Sequence, residues 1–81
     1  MYTIYAIYNR DHDRIYIGQT EDIIQRLKLH QDKSFQKSYT ANFSGEWKLI
    51  YAEEAKNRQA ALKREKQLKS YQGRQFVRGF I

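Results

Sequence analysis

Cysteine and proline are both missing from this chain of 81 residues. Without thiols there is no disulfide framework, no thiolate nucleophile and no cysteine-based zinc site, a usage compatible with a reducing compartment. Histidine is scarce: His12 and His30 are too few for a histidine-rich metal site. No apolar run approaches the ~20 residues that span a bilayer, and the N-terminus lacks the charged-then-apolar layout of a secretory signal. A soluble, cytoplasmic protein with no membrane role is therefore expected. Low-complexity segments and internal repeats are absent too, so nothing marks a linker. The chain reads as one domain over residues 1–81, with room for a single sheet and two or three helices but not for a second core.

What is present is positive charge. Fifteen Lys and Arg against nine Asp and Glu give a formal charge of +6 and a pI near 9.7, which favours polyanionic partners, nucleic acid first among them. A basic surface kept for solubility alone is the competing explanation.

YTIYAIYN at 2–9 is rich in β-branched and aromatic residues and long enough for a strand. The charged RDHDR makes a turn, and IYIG at 15–18 reads as a second, antiparallel strand after a five-residue connection. Thr20 is the expected N-cap of a helix from Glu21 to Gln31, with Glu21 and Asp22 in its first turn. Ile23, Ile24 and Leu27 form its inward stripe, bordered by Arg26 and His30. Residues 32–46 are polar and read as a loop with a short turn at Phe35–Tyr39. WKLIYA at 47–52 has strand composition, with Trp47, Leu49 and Tyr51 on one face and Lys48, Ile50 and Ala52 on the other. Asn57 is a candidate cap for a helix ending near Gln72, with Gly73 as its stop. Phe76, Val77, Phe80 and Ile81 predict a short final helix that covers the remaining core.

The second helix pattern contains an anomaly. In ALKREKQLK, Glu65 falls inside the arc set by Ala61, Leu62 and Leu68, where the core should be. An ionised carboxylate in an apolar setting protonates, pairs or binds a metal. Arg26 or a divalent cation would satisfy it. So would Lys69, four residues on, if Glu65 is only partly buried. Tyr5 and Tyr16 add a second feature, because an antiparallel hairpin can set both on one face. Tyrosine is common here, however, and any one of them reads equally well as an amphipathic residue at the core edge.

TIYAIYN at 3–9, IYIG at 15–18, Arg26 and His30 on the next helix and Glu65 on a later one together resemble the GIY-YIG nuclease superfamily, in particular its small single-domain bacterial members. WKLIYAEE and ALKREKQLKSYQGR resemble later segments of those proteins. The resemblance implies an α+β fold, a three-stranded antiparallel sheet flanked by helices. It also implies cleavage of phosphodiester bonds with one divalent metal, Mg²⁺ or Mn²⁺. By position it assigns catalytic roles to Tyr5, Tyr16, Arg26, His30 and Glu65, metal binding to Glu65, and a motif role to Gly18, with Tyr5 favoured as the base that activates water. Thr3 stands where the family motif usually has glycine, and no asparagine follows Asn57.

The residue types suit that chemistry. Mg²⁺ takes few protein ligands and keeps several waters, so one carboxylate is enough. Arginine offers a permanent charge and a fork that fits phosphate. A tyrosine becomes a base near neutral pH only where its pKa is lowered, a task that would fall to Arg26, His30 and the metal. Lys63, Arg64, Lys66, Lys69, Arg74 and Arg78 are the candidate contacts to a nucleic-acid backbone, with a solvated helix face as the plain alternative. So small a domain leaves little surface for base readout. The expectation is a metal-dependent endonuclease on DNA, with RNA as the second option, selective for substrate structure or targeted by a partner protein. The alternative is a nucleic-acid-binding module that keeps this fold without turnover.

Overall fold

The computed structural model describes residues 1–31 and 45–81, with backbone only at 29–31. Three strands and three helices follow in the order β1 (Tyr2–Asn9), β2 (Arg14–Thr20), α1 (Ile23–Gln31), β3 (Trp47–Ala55), α2 (Arg58–Lys69) and α3 (Tyr71–Arg78). The strands form one antiparallel sheet in the order β2-β1-β3. The α+β class and the three-stranded antiparallel sheet flanked by helices are as the sequence predicts. Among the described residues no helix is long and apolar enough to cross a membrane. The proposed turn at Phe35–Tyr39 lies outside the described residues.

Alternation along the strands divides the apolar residues between two faces. Ile4, Ala6, Ile15 and Ile17 meet Ala61 and Leu68 of α2 and Val77 of α3. Tyr5, Ile7 and Trp47 meet Ile23 and Leu27 of α1. Each large aliphatic side chain so buried contributes roughly 1.5–3 kcal/mol. The β1–β2 turn is shorter than expected, because Arg14 already pairs with Asn9. Buried Asn9 closes it by accepting a 3.0 Å hydrogen bond from the His12 amide.

Several expectations are corrected. A register shift falls between Ala6 and Ile7, so Ala6 opposes Tyr51 while Ile7 opposes Leu49. The extra residue of this bulge breaks the alternation, and Tyr51 packs with Ile50 on the α2 face while Trp47 stays on the α1 face. The N-cap of α1 is Asp22, not Thr20: its Oδ1 accepts from the Gln25 amide at 3.1 Å. Thr20 remains in β2, and its hydroxyl accepts from the Asp22 amide at 3.2 Å. Ile24 points outward, 76% exposed, leaving Ile23 and Leu27 as the inward stripe.

Asn57 does cap α2, accepting from the Ala60 amide at 2.9 Å. The helix then stops at Lys69, before the predicted end. Ser70, extended at φ −69° and ψ 167°, closes α2 and caps α3. Gly73 therefore lies inside α3 and acts by close approach, since a Cβ there would come 2.5 Å from Leu68 Cα. Of the residues expected to cover the core, only Val77 is buried. Phe76 and Phe80 instead stack on Tyr51, with ring centroids 5.4 and 5.0 Å away.

Candidate active site

The hairpin register sets Tyr5 opposite Gly18 and Ile7 opposite Tyr16, which places the two tyrosines diagonally on one face. Their ring centroids lie 6.2 Å apart at a 42° tilt. Gly18 is what admits the Tyr5 ring. A Cβ at position 18 would sit 2.9 Å from Tyr5 Oη and 3.0 Å from Tyr16 Cε2. The phenol thus lies across β2, an edge strand.

Tyr5 is 1% exposed. Burial pushes its pKa well above the ordinary tyrosine value; Tyr16 and Glu65 push the same way, and Arg26 opposes them. The balance runs against the expected lowering, and burial is the reason: the phenolate would be poorly solvated there. At neutral pH Tyr5 keeps its proton. Arg26 of α1 and Glu65 of α2 both act on this one phenol.

Half-buried Arg26 lines an open groove of about 440 Å³ together with Gln19, Thr20 and Arg58. Arg58 belongs to α2, whose apolar residues pack on the sheet face opposite α1. The two helices therefore share the groove around the β2 edge. His30 lies in α1, and its side chain is outside the described residues.

Glu65 occupies the inward arc of α2 between buried Ala61 and Leu68, yet its side chain keeps 19% of its accessible surface. Its Oε2 lies 3.1 Å from Lys69 Nζ. The in-helix pair is thus formed, and the same carboxylate reaches the field of Tyr5. Among the described residues there is no cluster of three His, Cys, Asp or Glu that could hold a metal ion. A lone carboxylate beside open space suits Mg²⁺ or Mn²⁺, which retain most of their waters, and does not suit zinc.

The six basic residues do not form one patch. Lys63 and Lys66 are exposed on α2. Arg64 turns toward β3, where its Nε lies 2.8 Å from Glu53 Oε1 and its guanidinium sits 6.0 Å from the Phe76 ring centre. Arg74 donates to the Lys69 carbonyl at 3.1 Å, and Arg78 pairs with Asp13 at 3.3 Å. Lys69 is held by Glu65. The sequence reading missed Arg58. It stands at the start of α2, seven residues before Glu65, where an arginine in a basic helix reads like any solvated one.

The description "GIY-YIG catalytic domain" belongs to the family whose sequence profile matches residues 1–76. A comparison with curated proteins finds no match. The solution NMR structure of the UPF0213 protein BH0048 from Bacillus halodurans is similar in fold: TM-score 0.56, 21% identity, covering 98% of this chain and 84% of that one. A match over nearly the whole chain, joined to a tyrosine pair seated on the YIG glycine, places this protein in the nuclease-type GIY-YIG catalytic domain family.

Proposed function

We propose that this protein is a metal-dependent endonuclease that hydrolyses phosphodiester bonds in DNA, acting in the cytoplasm. What supports this reading is that Tyr16, set diagonally from Tyr5 by the hairpin register, Arg26 from α1 and Glu65 from α2 all act on the Tyr5 phenol. Phenol, guanidinium and carboxylate thus come from three separate segments.

Glu65 is the residue that would hold Mg²⁺ or Mn²⁺, and the ion would supply Lewis-acid polarisation of the phosphate. Arg26 binds non-bridging phosphate oxygens and stabilises the charge that grows during attack on phosphorus. Tyr5, protonated, donates a hydrogen bond to an oxygen of the reacting groups. It can act as a base only after losing that proton, a loss that Arg26 favours and burial opposes. Tyr16, less buried, lies with its ring 6.2 Å from that of Tyr5, and His30 follows Arg26 by four residues in α1. Lys63 and Lys66 extend positive charge over the outer face of α2 for sequence-independent backbone contacts. Little surface remains for base readout, so selectivity rests on substrate shape or on a partner protein.

The Lys69 contact on Glu65 favours the second reading, a nucleic-acid-binding domain without turnover. Supercoiled, branched and single-stranded DNA, with RNA alongside, incubated with Mg²⁺, Mn²⁺ or chelator, separate the two. Nicking that needs the metal supports the nuclease. Salt-sensitive binding with no cleavage under any metal supports the binding module.

A further inference from the structure

We propose that the groove shared by α1 and α2 is a second phosphate subsite, and that Arg58 is the residue that grips it. The subsite takes the phosphodiester next to the one held by Arg26. This rests on the nucleic-acid reading above.

Arg26 belongs both to the surroundings of Tyr5 and to the wall of the groove. A strand with one phosphate on Arg26 therefore continues along that wall, where Arg58 is the next cation. The groove, about 440 Å³, has room for a sugar and its phosphate. Two carboxylates, Glu21 and Asp22, also line it, and the two arginines must outweigh them for an anion to enter. Asp22 accepts from the Gln25 amide at 3.1 Å, and Glu21 acts on the Tyr2 hydroxyl, raising the tyrosine's pKa. Exposed Arg58, by contrast, makes no hydrogen bond or ion pair among the described residues.

Local stability does not account for that placement. Arg58 is the first residue of α2, where the helix dipole favours a carboxylate and disfavours a cation. A cation held there against the dipole, beside a second arginine in one concavity, suits an anion that bridges both. Gln19 supplies an independent observation. It lines the same groove, and its buried Oε1 finds no hydrogen-bond donor among the described residues. Buried acceptors are normally satisfied, and a small rotation of the amide would offer this one to a sugar hydroxyl or base amine.

The test uses a fluorescent single-stranded oligonucleotide without divalent metal, so that binding is read apart from cleavage. Arg58→Ala should weaken binding roughly five- to tenfold at low salt and reduce the salt slope by about one counterion, while Arg58→Lys keeps most of both. Neutral methylphosphonates are then placed one position at a time. One position should weaken the wild type but not Arg58→Ala, and it should be the neighbour of the position coupled in the same way to Arg26. Arg58→Ala binding like the wild type, or a penalty equal in both proteins at every position, would overturn the subsite. Because no step requires turnover, coupling to Arg58 without cleavage under any metal would keep the subsite and sink the nuclease. Absence of all oligonucleotide binding would sink both.

Discussion

A tyrosine, a glutamate and a cation occur on either flank of α2. On the β3 flank, Tyr51 donates to Glu53 at 2.6 Å and Arg64 reaches the same carboxylate oxygen at 2.8 Å. Desolvation works against the Glu53 charge, but the Tyr51 hydroxyl and the Arg64 guanidinium outweigh it and hold its pKa below the ordinary value. On the β2 flank, the partner of Glu65 is Lys69, whose side chain is 46% exposed, and the nearby Tyr5 phenol is pushed upward by burial. The first group closes on itself and braces α2 to the sheet. The second holds its carboxylate with a half-exposed lysine from the same helix.

Swapping the arginines should break that comparison most sharply. Arg26→Ala is expected to lower metal-dependent cleavage roughly a hundredfold or more, with the melting temperature nearly unchanged. Arg64→Ala should leave cleavage per folded molecule within about twofold and cost about 0.5–1 kcal/mol, the upper end for an exposed pair. Plasmid nicking and thermal melts measure both.

The glycines extend the contrast. Gly18→Ala drives a methyl group against Tyr5 Oη and should cut activity about tenfold or more by moving the ring, with an overpacking cost of roughly 1–3 kcal/mol. Gly73→Ala meets the backbone of α2. It should cost at least as much stability yet leave the activity of the folded fraction unaltered.

These glycines also show how much the sequence disclosed. Gly18 stood out only through the resemblance, as the glycine of IYIG; strand alternation sets Tyr5 and Tyr16 on one face, but the approach of the Tyr5 ring is a cross-strand contact. Gly73 was misread as a helix stop. Its reason is a tertiary one, the Leu68 backbone facing it across the Ser70 break. Tyr51 was assigned to the wrong face because a bulge leaves no mark in composition. Glu65 stood out as a polar residue in an apolar arc, whereas Arg58 did not, since an arginine at the start of a basic helix looks like any solvated one. The direction of the Tyr5 shift depends on burial beneath α1, which local sequence does not report.

Lys69 offers a smaller effect. Lys69→Met removes the cation that competes for Glu65, so Mn²⁺ binding by calorimetry should tighten severalfold, with Lys66→Met as an unaffected control. The slightest effects are those of pH. Tyr5 has a folded-state pKa above its unfolded value, so its contribution is fully present below about pH 10 and is lost as pH rises beyond it. Unfolding midpoints should fall in that alkaline range, less steeply in Tyr5→Phe. Glu53 has the opposite sign, its depressed pKa giving stability that is lost as pH falls below about 4.5. Glu53→Gln should flatten the acid limb.

The most direct measurement compares the two glutamates under a metal titration. Nicking of supercoiled DNA is followed against Mg²⁺ concentration for the wild type, Glu65→Gln and Glu53→Gln at matched folded concentration. The wild type and Glu53→Gln should respond alike, while Glu65→Gln stays near zero throughout. Equal metal responses in all three proteins, or nicking that persists in chelator, would contradict the assignment of the β2 flank as the place of cleavage.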